Sequence, residues 1–92
     1  MRREHLLKTW PEFFGAVWER KKLFEVRRND RRFRVGDTLT LAEFDPKTEE
    51  FSGRRISARV SYILEGEVAE SMGLKPGYCV MDIEPTYNGR TA

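Results

Sequence analysis

The sequence predicts a small α+β domain that is mainly β, built as a twisted, partly closed antiparallel barrel with one early helix covering an opening. Three observations support this class. Short segments of alternating apolar and polar residues recur along most of the 92 residues, as in half-buried strands. Only one segment, near the N-terminus, carries apolar residues at helical spacing. Turn-forming residue pairs separate the segments, which is typical of small barrels.

The early helix is predicted to follow a short first strand over residues 5–8. Thr9 is a suitable N-cap, Glu12 can complete a capping box, and Pro11 is tolerated in the first turn. Large apolar side chains then recur at helical spacing and are expected to pack in the core: Phe14, Val17 and Trp18. Trp10 sits at the helix entry, where it can instead remain exposed as a stacking surface.

Four more strands are expected, because alternation and turn signals continue to residue 83. They are predicted over 23–27, 38–44, 54–64 and 78–83. Leu39 and Leu41 are expected to point inward. One face of the longest strand is predicted to carry Ile56, Ala58, Val60, Tyr62 and Leu64. One helical turn over 68–72 and a type II turn at Pro76–Gly77 precede the last strand.

A chain of this length is expected to form one domain with one modest core, here over residues 1–84. Residues 85–92 carry few apolar anchors, so a flexible tail is expected there. The sequence contains no internal repeat, no linker and no low-complexity block.

Composition excludes several classes of protein. No apolar run approaches the roughly 20 residues that span a bilayer, and the N-terminus lacks the apolar region of a signal peptide. Cys79 is the only cysteine and His5 the only histidine, so a zinc site of the usual kind is excluded and no cofactor is expected. Cys79 lies in an apolar alternation typical of a packed thiol. A small domain without disulfides suggests a reducing compartment, and we expect a cytoplasmic protein.

The net charge is only +2, but the charges are unevenly distributed. Eight basic and three acidic residues lie between positions 19 and 34, whereas five acidic residues and one basic residue lie between 65 and 84. A basic segment of that density can attract phosphate even when the whole chain is nearly neutral. A nucleic acid or a nucleotide is therefore a candidate partner.

Three segments together resemble a known family: "ERKKLFEVRRNDRRFRVGD", "FDPKTEEFSGRRI" and "GLKPGYCVMDI". They are similar to ASCH domains (activating signal cointegrator homology) of the PUA-like superfamily, in particular to a small bacterial and phage-associated branch without an assigned function. The family pattern Gly-x-Lys-Thr-x-Glu-x-Arg matches Lys22, Glu25 and Arg27, and its Gly-Asp turn matches Gly36 and Asp37. The resemblance covers residues 5–83.

This resemblance implies a PUA-like β-barrel whose cleft is lined by the Lys-Glu-Arg cluster, in a superfamily associated with RNA and modified nucleotides. Some small bacterial ASCH proteins look like amidohydrolases that deacetylate acetylcytidine with a lysine, a threonine and an acid. By residue matching, that lysine falls on Lys22 and the acid on Asp82, whereas Glu25 occupies the threonine position. Arg20 and Leu23 replace the glycine and the threonine of the family pattern.

The residues themselves are compatible with a site. Glu25 and Arg27 lie two apart on a strand and therefore share a face, and Lys22 is close enough in sequence to approach them. Lys22 and Arg27 can then grip a phosphate or carboxylate, while Glu25 accepts a hydrogen bond from a base amino group. The alternative is an interior ion pair that fixes the barrel register and binds no ligand.

Around this cluster, further arginines are expected to form a basic rim that contacts phosphates: Arg28, Arg31, Arg32 and Arg34. The alternative is that they only solvate a loop. Tyr78 and Trp10 are the candidate aromatic residues for stacking against a base, and a core position is the alternative for each.

Three functions follow from the sequence. The first is a module that binds RNA or a modified nucleotide through the cleft and its rim. The second is a small amidohydrolase acting on acylated nucleosides, with Lys22 as nucleophile or base and Asp82 or Glu25 as proton carrier. The third is a domain that docks a protein partner through its acidic stretch over 65–70. The sequence leaves the oligomeric state open.

Overall fold

A computed structural model describes residues 2–90 and contains five strands and two helices. In chain order the elements are β1 (Glu4–Thr9), α1 (Pro11–Trp18), β2 (Phe24–Arg28), β3 (Thr38–Asp45), β4 (Glu50–Leu64), α2 (Gly66–Ser71) and β5 (Tyr78–Arg90). The mainly β class with one early helix is therefore confirmed. Neither helix in this part of the chain is long and apolar enough to cross a membrane.

The five strands form one sheet in the order β1-β3-β4-β5-β2. The pairing of β1 with β3 is parallel, unlike the all-antiparallel arrangement predicted, and the other three pairings are antiparallel. Although β1 and β2 are the two edges of the sheet, the Arg27 side chain of β2 donates a hydrogen bond to the Lys8 carbonyl of β1, at 3.1 Å. The sheet therefore curls into a half-barrel. We call the gap between β1 and β2 the seam.

The core lies inside the curl. Leu39 and Leu41 of β3 are fully buried, as their alternation predicts. In the middle of β4, every second residue is buried as predicted: Ile56, Ala58 and Val60. The helix α1 contributes Phe14 and Val17 to this core.

Two details of the predicted elements are wrong. Thr9 does not cap α1, because it is the last residue of β1 and its hydroxyl donates to the Leu7 carbonyl. Trp10 occupies the N-cap position without a capping side-chain bond. On β4, a register shift between Val60 and Tyr62 interrupts the alternation, so Tyr62 is exposed.

Residues 85–90 are more regular in structure than their composition suggests. Residues 85–90 continue β5 and pair with β4, so the expected flexible tail is wrong for these residues. The Asn88 side chain also donates to the Trp18 carbonyl at 3.1 Å, which ties the strand to the end of α1. Residues 91 and 92 of the expected tail lie outside the described residues.

A buried aspartate fixes the loop between β2 and β3 to the rest of the fold. The Asp37 carboxylate accepts hydrogen bonds from His5 Nε2 at 2.8 Å and from the backbone N–H groups of Arg3 and Arg34. Burial alone would raise the pKa of Asp37, but the bonds from His5 and the two N–H groups outweigh burial and hold that pKa below its ordinary value of 3.8. Asp37 therefore stays ionised and holds the loop against β1.

Replacing Asp37 with alanine is expected to lower the free energy of unfolding by about 3–5 kcal/mol at pH 7, because the variant leaves buried polar groups without their acceptor. Since the folded-state pKa is lowered, the stabilisation by the charge is complete above pH 3.8 and is lost as the pH falls through the folded-state pKa. Denaturant unfolding of both proteins at a series of pH values measures this difference.

The matched control is Asp30→Ala, which removes an exposed acid from the same loop and is expected to change stability by less than about 0.5 kcal/mol. Equal effects of the two substitutions at pH 7 would contradict the anchoring role of Asp37. So would a gap between parent and Asp37→Ala that widens below pH 3.8.

Candidate functional site

A pocket of about 570 Å³ lies at one end of the seam. The pocket is lined by residues from the end of β1, the start of α1 and β2. Lys22, which precedes β2, also contributes to the lining. The lining residues are Lys8, Thr9, Trp10, Phe13, Lys22, Phe24, Glu25, Val26 and Arg27. The volume falls within the range of roughly 300–1,000 Å³ that is usual for small-molecule sites.

The three residues selected from the sequence meet at this pocket. Glu25 is only 2% exposed. Its Oε2 accepts a hydrogen bond from Lys22 Nζ at 2.5 Å, and its Oε1 accepts one from Arg27 Nε at 3.0 Å. The side chains of Lys22 and Arg27 are 17% and 26% exposed. The carboxylate is thus buried in an ion-pair cluster, while both cations reach the open pocket.

Three exposed aromatic side chains border the same pocket: Trp10, Phe13 and Phe24. Lys22 Nζ lies 4.8 Å from the ring centroid of Phe24 and 5.9 Å from that of Phe13. Sequence reasoning missed Phe13 and Phe24 as site residues. The strand period contains the signal for Phe24, because a strand that turns Glu25 and Arg27 inward must turn Phe24 outward.

The two cations retain hydrogen-bonding capacity. Arg27 uses Nε for Glu25, and its Nη2 donates to the Lys8 carbonyl and to the Thr9 hydroxyl. Its Nη1 has no hydrogen-bond partner within residues 2–90. Lys22 Nζ donates to Glu25 and to the Phe24 carbonyl, which leaves its third proton available. Lys22 and Arg27 can therefore donate hydrogen bonds to an anionic or carbonyl-bearing ligand in the pocket.

A row of arginines continues from the pocket along the seam. Arg31 Nη1 donates to the Leu6 carbonyl of β1 at 2.7 Å. Leu6 lies two residues before Lys8, whose carbonyl Arg27 contacts. Arg3 Nη2 donates in turn to the backbone carbonyls of Arg31 and Arg32. Arg27 and Arg31 thus satisfy carbonyls of the edge strand β1, and with Arg3 they make the seam basic.

The other predicted rim residues lie outside the pocket. Arg28 is exposed, and its guanidinium lies 5.7 Å from the Tyr78 ring centroid. Lys75 Nζ lies at the same distance from that ring, so the half-buried Tyr78 already contacts two cations. The side chains of Arg32 and Arg34 are exposed on the loop, where the backbone N–H of Arg34 serves Asp37.

The structure does not bring Asp82 to Lys22 and Glu25. On β5, Met81 and Ile83 are buried and Asp82 between them is exposed. Glu25 pairs in register with Met81 and is buried like it, so Asp82 projects from the opposite face of the sheet. Asp82 is also absent from the pocket lining. Although its register partner Phe24 borders the pocket, Asp82 itself makes no hydrogen bond or ion pair with Lys22 or Glu25 among the described residues.

Metal or thiol chemistry finds no support among the described residues. No group of three His, Cys, Asp or Glu side chains within residues 2–90 is arranged to hold a metal ion. Cys79 is fully buried, as predicted for a packed thiol. Burial, and to a smaller extent the charge of Glu65, raise the pKa of the Cys79 thiol above its ordinary value.

Cys79 is consequently expected to react slowly with a thiol-specific reagent in the native protein and rapidly in denaturant, because the reactive thiolate is both scarce and enclosed. Spectrophotometric thiol titration with and without denaturant measures the two rates. Rapid labelling of the native protein at neutral pH would contradict the buried placement.

Removal of the central carboxylate tests how much the fold relies on it. Glu25→Ala is expected to lower the free energy of unfolding by about 2–3 kcal/mol, because two charge-assisted hydrogen bonds are lost. The control is Glu84→Ala, which removes an exposed pair with Arg59 at 3.2 Å and should cost about 0–1 kcal/mol. Denaturant unfolding compares the variants, and equal losses would contradict a special role of Glu25.

The fold and the pocket together define a small, mainly β domain with a curled sheet and a Lys-Glu-Arg cluster at its seam. Comparison with known families places this domain more narrowly. Residues 4–83 match the family model described as "Domain of unknown function (DUF3850)", and the chain belongs to that family.

A curated relative comes from Escherichia phage P2 and is described as "Uncharacterized 12.9 kDa protein in GpA 3'region". It is 35% identical to this chain over 65 residues, which are 71% of this chain and 58% of the relative. The chain thus matches less than two thirds of the length of this phage protein. The phage association expected from the resemblance is therefore supported at the level of the family.

Proposed function

We propose that this protein binds RNA, or a modified nucleotide, in the pocket above Glu25, with the basic seam holding phosphates. One observation carries the proposal. The buried Glu25 carboxylate lies at a pocket bordered by exposed aromatic rings, and its two partners, Lys22 and Arg27, keep N–H donors that are free to bind a ligand. This combination matches the three chemical features of a nucleotide, namely a planar base, its polar edge and a phosphate.

The aromatic residues account for the base. Unpaired bases stack on exposed aromatic side chains in most single-strand binding proteins, and the Trp10 and Phe13 rings are stacked with centroids 6.4 Å apart. Glu25 has lone pairs left after its two bonds and can accept from a base amino group. The free protons of Lys22 and Arg27 can donate to a carbonyl oxygen or a ring nitrogen of the base.

The seam accounts for the phosphates. The guanidinium groups of Arg27 and Arg31 both donate to backbone carbonyls of β1, and Arg32 is exposed next to Arg31. Guanidinium groups contact phosphate through paired N–H donors, which position a nucleic-acid backbone without reading its sequence. Arg28, at the end of β2, and Arg34, in the loop between β2 and β3, are exposed and can extend the positive field.

We also infer that this DUF3850 domain is an ASCH-like member of the PUA-like superfamily. Support comes from the curled sheet with an early helix and from the meeting of Lys22, Glu25 and Arg27 at one pocket. A further point is Arg20, which stands where the family pattern has glycine. Its φ is +59°, in the left-handed region that favours glycine.

Binding is favoured over the alternative, hydrolysis of an acylated nucleoside. The exposed Asp82 lies on the sheet face opposite to Glu25, so Glu25 is the only acid left in the pocket to carry a proton. Lys22, the nucleophile in that alternative, donates instead to Glu25 and to the Phe24 carbonyl. The same experiment tests both functions.

Lys22→Ala is expected to weaken binding of a fluorescent single-stranded RNA about tenfold at low salt, because a cation is removed from the phosphate or base contact. The slope of log affinity against log salt should fall by about one unit if that contact is to phosphate. Fluorescence anisotropy at several salt concentrations measures both quantities. The matched control is Lys47→Ala, which removes an exposed lysine from the β3–β4 turn.

A panel of free and modified nucleosides, including acetylcytidine, completes the experiment. Equal RNA affinity in the parent, Lys22→Ala and Lys47→Ala would contradict the pocket assignment. Conversion of acetylcytidine to cytidine by the parent, lost in Lys22→Ala, would establish the hydrolase instead. An effect of Arg32→Ala on RNA but not on a nucleoside would assign the seam to the polymer backbone.

A further inference from the structure

The arrangement of lysine and phenylalanine at the pocket occurs a second time nearby. Lys22 Nζ lies beside the Phe24 and Phe13 rings. Lys8 Nζ likewise lies 4.5 Å from the ring centroid of Phe44 and 6.0 Å from that of Phe51. Each unit therefore offers one cation and an aromatic surface, which complement the phosphate and the base that every nucleotide of a single strand repeats.

The two units are continuous. Lys8 belongs to the lining of the first pocket and also contacts the second pair of rings. Trp10 lines the first pocket, while the next residue, Pro11, lines a groove of about 350 Å³ together with Phe51. The junction between β1 and α1 thus contributes to the border of both units.

Phe51 is more exposed than its structural role requires. It pairs across the β3–β4 hairpin with Phe44, edge to face at a centroid distance of 5.0 Å, yet remains 52% exposed. Three acidic residues, Glu43, Asp45 and Glu50, line the groove beside Phe51, whereas Lys8 is not part of that lining. A phosphate is therefore favoured on the Lys8 side of the ring, and a base on the ring itself.

We propose that the site holds two successive nucleotides of a single-stranded nucleic acid, one in the pocket above Glu25 and its neighbour stacked on Phe51 with a phosphate at Lys8. This inference rests on the proposed function and goes further, because it makes a polymer, rather than a free nucleoside, the preferred ligand. Polymers of ribose and deoxyribose share the required chemistry, so both are tested.

The experiment compares AMP, the dinucleotide pApA and the deoxyribose dinucleotide as competitors of a labelled oligoadenylate. The parent is expected to bind a dinucleotide roughly 5- to 150-fold more tightly than AMP, the gain that one further base–aromatic stack contributes. Phe51→Leu keeps an apolar side chain but removes the ring, so it should abolish that gain and leave AMP affinity unchanged. Phe51→Tyr should retain the gain.

The control is Tyr62→Leu, which removes an equally exposed ring outside both pockets, and thermal melts establish that each variant is folded. A parent that binds AMP but gains nothing from the second nucleotide overturns this inference and leaves the proposed function standing. A gain that survives in Phe51→Leu also overturns it. A parent that binds none of the competitors overturns the proposed function and the inference together.

Discussion

Burial of the Glu25 carboxylate decides which way β2 faces, and the rest of the site depends on that choice. A strand has two faces, and β2 could have turned Phe24 and Val26 into the core. The Lys22 and Arg27 partners compensate the buried charge, and the apolar side chains stay outside. One ion-pair cluster therefore provides both the polar floor of the pocket and its exposed aromatic wall.

The same orientation of β2 holds the half-barrel together. Because Arg27 follows Glu25 on the inward face, its guanidinium reaches across the seam to the Lys8 carbonyl. Arg31 does the same for Leu6 from the following loop. Edge carbonyls of a sheet usually need protection from pairing with other chains. Here arginine side chains occupy them, and the seam stays open enough to expose the pocket.

Two buried carboxylates, Asp37 and Glu25, have different roles in the basic segment. Asp37 binds His5 and two backbone N–H groups, so it fixes the loop against β1. Glu25 binds two cationic side chains that remain partly exposed. The hydrogen bonds of Asp37 all lie within the fold, whereas Lys22 and Arg27, the partners of Glu25, keep donors that can bind a ligand. The arginines of the loop are consequently held near the pocket by a residue that takes no part in it.

Several features could be predicted from particular residues. Alternation placed Leu39, Leu41 and Ile56 in the core, and the two-residue spacing of Glu25 and Arg27 put them on one face. These patterns are local, because strand geometry alone sets which residues share a face. The composition-based expectation for residues 85–90 failed, because their order comes from pairing with a distant segment of β4.

By itself, the sequence determined the mainly β class of the fold, the inward positions of Leu39, Leu41 and Ile56 and the shared face of Glu25 and Arg27, since each follows from spacing within a few residues. Only the tertiary structure decided that β1 pairs in parallel with β3, that Asp82 faces away from the cluster and that Phe24 borders the pocket. Those features depend on how the sheet curls and on which edges meet. Contacts between residues far apart in sequence set both, and no local pattern encodes them.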